Sequence, residues 1–143
     1  MPKVYIIILN YKIWQDTVEC LETVFRSVYE NYTVIVIDNN SENDSLEELK
    51  HWAQNETNYA NRSFSFSKMI NKPVRYKYFR EEEFSETTLT DQEQLILIKN
   101  EQNKGFAGGM NKVLEKLKKE NSYIWLLNPD MVVEETTLAV LVE

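Results

Sequence analysis

The three glycines of the chain, Gly105, Gly108 and Gly109, all fall inside the stretch from Asn103 to Asn111. Glycine tolerates positive φ and lets backbone come close to a bound group. An apolar run precedes the cluster and a helical pattern follows it, which puts it at a strand-to-helix turn. Such turns are where α/β folds receive phosphates and nucleotides. The other reading of the cluster is tight packing, since a helix cap needs only one glycine. Asp38 closes another apolar run, where a carboxylate is costly unless solvated or partnered. Its oxygens suit a base N–H or a ribose hydroxyl, or equally a turn or a helix cap. Tyr11 follows the first apolar run and offers a ring to stack a base on, or to fill a sheet end. Asp130, in Asn128-Pro129-Asp130, suits Mg²⁺ or Mn²⁺, which often take one or two carboxylates together with phosphate oxygens. The same tripeptide is also a common turn.

The elements that must position these residues can be read from periodicity. Lys3 to Asn10 is a continuous apolar, β-branched run, the mark of a strand buried on both faces. Val18, Leu21, Phe25 and Val28 recur at helical spacing, which predicts a helix over about residues 14–29. Thr33 to Ile37 is a second buried strand ending at Asp38. Ser41 and Asp44 resemble a capping box, opening a helix that carries Leu46, Leu49 and Trp52. Residues 54–93 are polar and break the rhythm, reading as an irregular excursion. Within them Val74 to Phe79 alternates apolar and basic as an edge strand does. Leu95 to Ile98 is a third buried strand. The glycine turn then opens a helix with Phe106, Met110, Val113, Leu114 and Leu117 facing the core, and Tyr123 to Leu127 is a fourth core strand. Pro129 forces a sharp exit from it. Glu134 to Glu143 begins a helix and stops without a capping signal, so the chain reads as the N-terminal part of something longer.

This alternation specifies an α/β fold with a mainly parallel sheet, right-handed crossovers and helices on both faces. Ligands then lie beyond the carboxyl ends of the strands. Those ends carry Asn10-Tyr11, Asp38-Asn39-Asn40, Asn100 to Asn103, and Asn128-Pro129-Asp130. Polar side chains thus collect where the architecture expects a site.

Composition narrows the chemistry. A chain of 143 residues holds one domain with a respectable core. A net charge of −7 excludes a broad basic face and hence a nucleic acid polymer as partner. A nucleotide needs only a local site. Cys20 is the only cysteine, so no internal disulfide forms and the framework reads as intracellular. Its apolar neighbours make it a buried thiol rather than a nucleophile. His51 is the only histidine, which argues against both His-based triads and multi-histidine zinc sites, and it reads as a helix-surface residue. No stretch has the length of a membrane span, and the first apolar run is too short for a signal peptide. The first strand is followed by Asn-Tyr-Lys-Ile-Trp, without a dinucleotide or P-loop glycine pattern.

Four segments together resemble family 2 glycosyltransferases of the GT-A fold. They are Val4 to Tyr11, Val36 to Ser41, Asn103 to Asn111, and Trp125 to Asp130, in that order. The last is similar to the variant metal motif of a rhamnosyltransferase-like branch. The resemblance implies an inverting transferase that moves a sugar, rhamnose in that branch, from a dTDP- or UDP-linked donor to a glycan or lipid-linked acceptor. It implies that Asn10 and Tyr11 line the base and ribose pocket and that Asp38 and Asn39 read the pyrimidine. Asn103, Gly105, Gly108 and Gly109 would let the chain pass close to the donor, with Asn111 nearby. Asn128 would support the ribose, and Asp130 would hold Mg²⁺ or Mn²⁺. The implied setting is cytoplasmic, at the inner face of the membrane where polysaccharides are assembled.

The chain departs from that pattern in ways that matter. Asn39 stands where many members carry a second acid, and Asn128 leaves Asp130 as the only charged residue of the metal motif. The family's general base is expected beyond Glu143, so residues 1–143 read as the nucleotide-sugar-binding half, with no catalytic residue of their own. Glu134 and Glu135 read as first-turn helix acids. Arg75 and Lys77 fit a solvated edge strand or an approach to the donor. Two rival readings are a sugar nucleotidyltransferase, which needs a glycine- and arginine-bearing loop after the first strand, and a non-catalytic binding or assembly module. An uncovered sheet edge would also favour a homodimer.

Overall fold

In the computed structural model, residues 1–56 and 70–143 are described. Five parallel strands form one sheet: β1 (Lys3–Asn10), β2 (Tyr32–Asp38), β3 (Tyr76–Arg80), β4 (Leu95–Lys99) and β5 (Ser122–Leu127), in the order β3-β4-β2-β1-β5. The helices are α1 (Trp14–Val24), α2 (Ser45–Ala53), α3 (Glu81–Glu86), α4 (Gly105–Leu117) and α5 (Thr137–Val142). Every strand pairing is parallel.

The side-chain period of two sorts the strands into two cores. Val4, Ile6, Ile8, Val34, Val36, Leu95 and Leu97 pack against α1, α2 and Leu138 of α5. Tyr5, Ile7, Ile35, Ile37, Ile96 and Ile98 pack against Phe84 of α3 and Met110, Val113 and Leu117 of α4. The sheet is therefore buried on both faces at its centre, as the continuous apolar runs of β1, β2 and β4 require.

Several local expectations need correction. The first helix ends at Val24, not near residue 29. Arg26 and Ser27 bond back only three residues, to Thr23 and Val24, and the Val28 N–H turns away to the Glu135 carbonyl at 2.9 Å. Ser41 does not open α2. That helix begins at Ser45, whose N–H and hydroxyl both reach Asn43 Oδ1. Gly108 and Gly109 lie inside α4 rather than in the turn before it, and Gly105 alone has positive φ, at 72°. Glu134 and Glu135 precede α5, whose N-cap is Thr136.

Phe106 shares the α4 spacing yet is 59% exposed, because the first turn of α4 projects past the end of the sheet. β5 is not a core strand. Among the described residues it lies at a sheet edge with only β1 beside it, and Tyr123, Ile124 and Leu126 are exposed. An apolar run reports the capacity to be buried, and the described elements cover only part of this one. The other edge is β3, as its alternation predicts, and both β3 and α3 fall inside the stretch read as irregular. Residues 57–69 of that stretch lie outside the described residues. Arg75 and Lys77 sit toward the amino end of β3, bonded to the Gln92 carbonyl and to Glu93, on the far side of the sheet from the carboxyl ends.

Candidate functional site

Because all the strands run one way, their carboxyl ends share one edge. Register sets what meets there: Asn10 is opposite Asp38, and Asp38 is opposite Lys99. Leu127 is opposite Ile8, so the Asn128-Pro129-Asp130 turn leaves the sheet just beyond that pair.

Asp38 is almost fully buried, and its carboxylate is held by internal donors. Asn10 Nδ2 donates to Oδ1 at 2.9 Å and Ser41 Oγ at 2.6 Å, while the Ser41 N–H reaches Oδ2 at 3.0 Å. Asn10 is itself oriented by Thr17, whose hydroxyl donates to its Oδ1 at 2.7 Å. Ser41 Oγ also accepts the Lys12 N–H at 2.8 Å, so one hydroxyl ties the β1–α1 loop to the β2–α2 loop. Both loops carry a non-glycine residue in the left-handed region, Lys12 at φ 64° and Asn40 at φ 60°. Asparagine adopts that region readily, but lysine does so at a cost. The Asn43 side chain helps hold it there by donating to the Lys12 carbonyl at 3.3 Å. Tyr11 stands exposed beside this network, with Lys12 Nζ 5.1 Å from its ring centroid.

A second network joins β2 to the glycine segment. Asn39 Nδ2 donates to Asn103 Oδ1 at 2.9 Å and to the Gly105 carbonyl at 3.1 Å. Asn39 Oδ1 accepts from Asn100 Nδ2 at 3.1 Å, and Asn100 Nδ2 also reaches the Gly109 carbonyl at 3.0 Å. The start of α4 is thereby pinned to the end of β2. A Cβ on Gly109 would come within 3.0 Å of both Asn39 Oδ1 and Leu9 Cδ1, so glycine there permits the close approach of helix to sheet. On its other side α4 is held by Glu81, which pairs with Lys104 and, at 2.9 Å, with Lys112. Burial alone would push the Glu81 carboxyl up. Hydrogen bonds from the two lysines outweigh it and hold the group below the usual value.

Asn128 and Asp130 are exposed, and Asp130 has no hydrogen-bond or ion-pair partner among the described residues. Next to this turn a cleft of about 670 Å³ lies between α4 and the β5–α5 connection, lined by Leu9, Phe106, Met110, Asn128 and Thr137 among others. A smaller cavity, about 230 Å³, is lined by Tyr32 and Gln94 at the amino ends of the strands, away from this chemistry. Among the described residues no group of three or more His, Cys, Asp or Glu could hold a metal. The donor set therefore does not fit a metal held by protein alone. It does fit a hard cation held by one carboxylate and completed by water and ligand oxygens.

The structure thus bonds Asn10 to Asp38, and Asn39 to Asn103, Gly105 and, through Asn100, Gly109. Tyr11, Asn128 and Asp130 are placed at the same sheet edge without direct bonds to these, and Asn111 is exposed in the second turn of α4. Thr17, Ser41 and Asn100 belong to the networks; Thr17 was not singled out by sequence, while Ser41 read as a helix cap and Asn100 as a strand-end residue without a role of its own. The signal at Ser41 was its position three residues after Asp38, which fits a side-chain-to-backbone turn as well as a cap. Thr17 carried no signal of its own on an apolar helix face.

A family model described as Glycosyl transferase family 2 matches residues 4–68 and 80–143. No curated protein matches the chain. Among solved structures, the mannosyltransferase PcManGT from Pyrobaculum calidifontis, in complex with GDP-Man and Mn²⁺, superposes with a TM-score of 0.65 at 18% identity over 96% of this chain. TarS from S. aureus gives 0.59 at 14% identity over 98% of this chain, and its complex with UDP gives 0.59 at 15%. The chain spans 30% of the length of the former and 31% of the latter, and the likeness is one of GT-A fold. Among the described residues, no helix is long and apolar enough to cross a membrane.

Proposed function

We infer the chemistry from one premise: the chain belongs to glycosyl transferase family 2. We read it as the nucleotide-sugar-binding half of a GT-A domain. The longer protein transfers a sugar, with inversion at the anomeric carbon, from a nucleoside diphosphate donor to a glycan or lipid-linked acceptor. One observation carries this reading. The Thr17–Asn10–Asp38–Ser41 network ends at a sheet edge that also exposes an aromatic ring, Tyr11, and a carboxylate, Asp130, with no hydrogen-bond or ion-pair partner among the described residues.

In this reading Tyr11 stacks the base, and Asp38 accepts a base N–H on Oδ2, which takes only the Ser41 N–H among the described residues. Asn10 and Asn39 use both ends of their amides on protein groups, so they serve the pocket by holding Asp38 and the glycine segment in place. Asn103, Gly105, Gly108 and Gly109 let the start of α4 approach the diphosphate, where the helix N-terminus favours negative charge. Asn111 faces the donor from the second turn, and Asn128 supports the ribose. Asp130 would hold Mg²⁺ or Mn²⁺ jointly with the diphosphate, as its exposed carboxylate fits. A cation there neutralises charge on the departing nucleoside diphosphate. The two similar structures carry GDP-Man with Mn²⁺ and UDP, which supports a nucleotide donor and a divalent cation. The Asn128-Pro129-Asp130 motif favours a rhamnosyltransferase-like donor, dTDP- or UDP-linked. The acid that takes the acceptor's proton is not among the residues assigned here.

Calorimetric titration with UDP and dTDP, with and without Mn²⁺, on the chain and on Asp130→Ala, tests this. Binding that needs both Mn²⁺ and Asp130 supports the donor site. A folded sample that binds neither nucleotide rejects it.

A further inference from the structure

Thr17, Cys20 and Thr23 recur every three residues along α1, and all are fully buried. Polar groups in an apolar core are costly unless bonded, and each of these bonds toward the candidate site. The Thr17 hydroxyl donates to Asn10 Oδ1 at 2.7 Å, and Asn10 donates in turn to Asp38. The Cys20 thiol faces the Asn128 carbonyl, Sγ to O 3.9 Å. Thr23 Oγ1 donates to the Cys20 carbonyl at 2.8 Å and accepts the Val133 N–H at 3.2 Å. Just past the helix, the Val28 N–H holds the Glu135 carbonyl. Burial, and then the nearby Asp130 carboxylate, push the Cys20 thiol up to about 12. One stripe on one helix therefore grips both the residue pair assigned to the base and the turn that carries Asp130.

We propose that α1 is the spacer of the donor site, with Thr17 the positioning residue for the base side and Thr23 the positioning residue for the metal-bearing turn. A helix is a stiff rod rising about 1.5 Å per residue, so six residues separate the two grips by about 9 Å along its axis. Sheet register fixes the strand ends themselves, and α1 adds a second ruler for the loops that leave them. Neither threonine touches donor atoms in this scheme. Thr17 acts through Asn10, and Thr23 acts through the backbone that follows Asp130. The inference rests on the donor-site reading above.

The test separates the two sides. Uridine, which carries no phosphate, is titrated by NMR to report the base side, and the Mn²⁺ needed for half-maximal UDP binding is measured by calorimetry. Thymidine and dTDP replace them if these bind more tightly. Thr17→Val is expected to weaken uridine binding about fivefold, the loss of one buried hydrogen bond, with the Mn²⁺ requirement unchanged. Thr23→Val is expected to raise the Mn²⁺ requirement about fivefold, with uridine unchanged. Thr17→Ser and Thr23→Ser, which keep the hydroxyl, should restore wild-type values. If a valine variant unfolds, the alanine variant at that position carries the test. A purely structural role would move both readouts together or neither, and either result overturns the proposal. A wild-type chain that binds neither UDP nor dTDP in Mn²⁺ rejects the donor site itself, and this inference with it.

Discussion

Asn10 and Asp38 are register partners on adjacent parallel strands, and the Asn10 amide donates to the Asp38 carboxylate at 2.9 Å while taking a hydrogen bond from Thr17. The amide is thus polarised in one direction, with its donor end on the carboxylate. Asp38→Asn should disturb this twice. It removes the charge that strengthens the bonds from Asn10 and Ser41, and it sets amide hydrogens against donors. Chemical denaturation should report a loss of about 1–3 kcal/mol. Nucleotide affinity should fall further than stability accounts for if Asp38 also receives a base N–H, and a variant with undiminished UDP or dTDP affinity would remove Asp38 from the base pocket.

Gly105 and Gly109 should respond differently to the same substitution. Gly109→Ala places a methyl 3.0 Å from Asn39 Oδ1 and Leu9 Cδ1, so those side chains must give by a few tenths of an ångström and the Asn39 network is disturbed, at about 1–3 kcal/mol. Gly105→Ala meets nothing within 4 Å, but its φ of 72° costs an alanine about 1–2 kcal/mol. Gly105→Asn should therefore recover part of the loss and Gly109→Asn none. Thermal melts of the four variants decide it.

Glu81 predicts an acid-labile contact. Its folded pKa is depressed, so its pairing with Lys104 and Lys112 contributes stability that is fully present above the unfolded value, near 4.5, and is lost as pH falls through the folded value. Glu93, held low by Lys77 and Thr90 against its own burial, adds a loss of the same sign. Urea melts between pH 3 and 7 should show stability falling below pH about 4.5. Glu81→Gln should lower the neutral plateau and flatten that fall. An unchanged acid slope would show that the pair contributes no net stability.

The two sheet edges differ in charge. β3 carries Lys77 and Arg80, which guard an edge against pairing, while β5, Ser-Tyr-Ile-Trp-Leu-Leu, carries none. Self-association of the chain, if it forms a dimer, should run through β5. Sedimentation across micromolar concentrations should then show a dimer that Leu126→Lys dissolves and a lysine in β3 leaves intact.

Much of the fold was legible because burial on both faces leaves a continuous apolar run, and β1, β2 and β4 each have one. The polar residues after those runs were legible as a site because parallel strands deliver their ends to one edge. What was not legible was the condition of each residue there. Asn39 read as a base-contacting residue by resemblance, and the structure spends its amide on Asn103, Gly105 and Asn100. Ser41 read as a helix cap and instead bridges Asp38 and Lys12.

The sequence by itself determined most of the elements, though not α3, together with the parallel sheet and the family, since these follow from local periodicity and from the order of four short segments. Only the tertiary structure decided that β1 sits between β2 and β5, that β5 lies at an edge, and that α1 grips both halves of the edge. The reason is physical. Periodicity records which side chains favour burial, which is a property of each segment alone. Strand order, and the partner found by a buried amide or hydroxyl, depend on how distant segments cross over and pack, and no local pattern carries that.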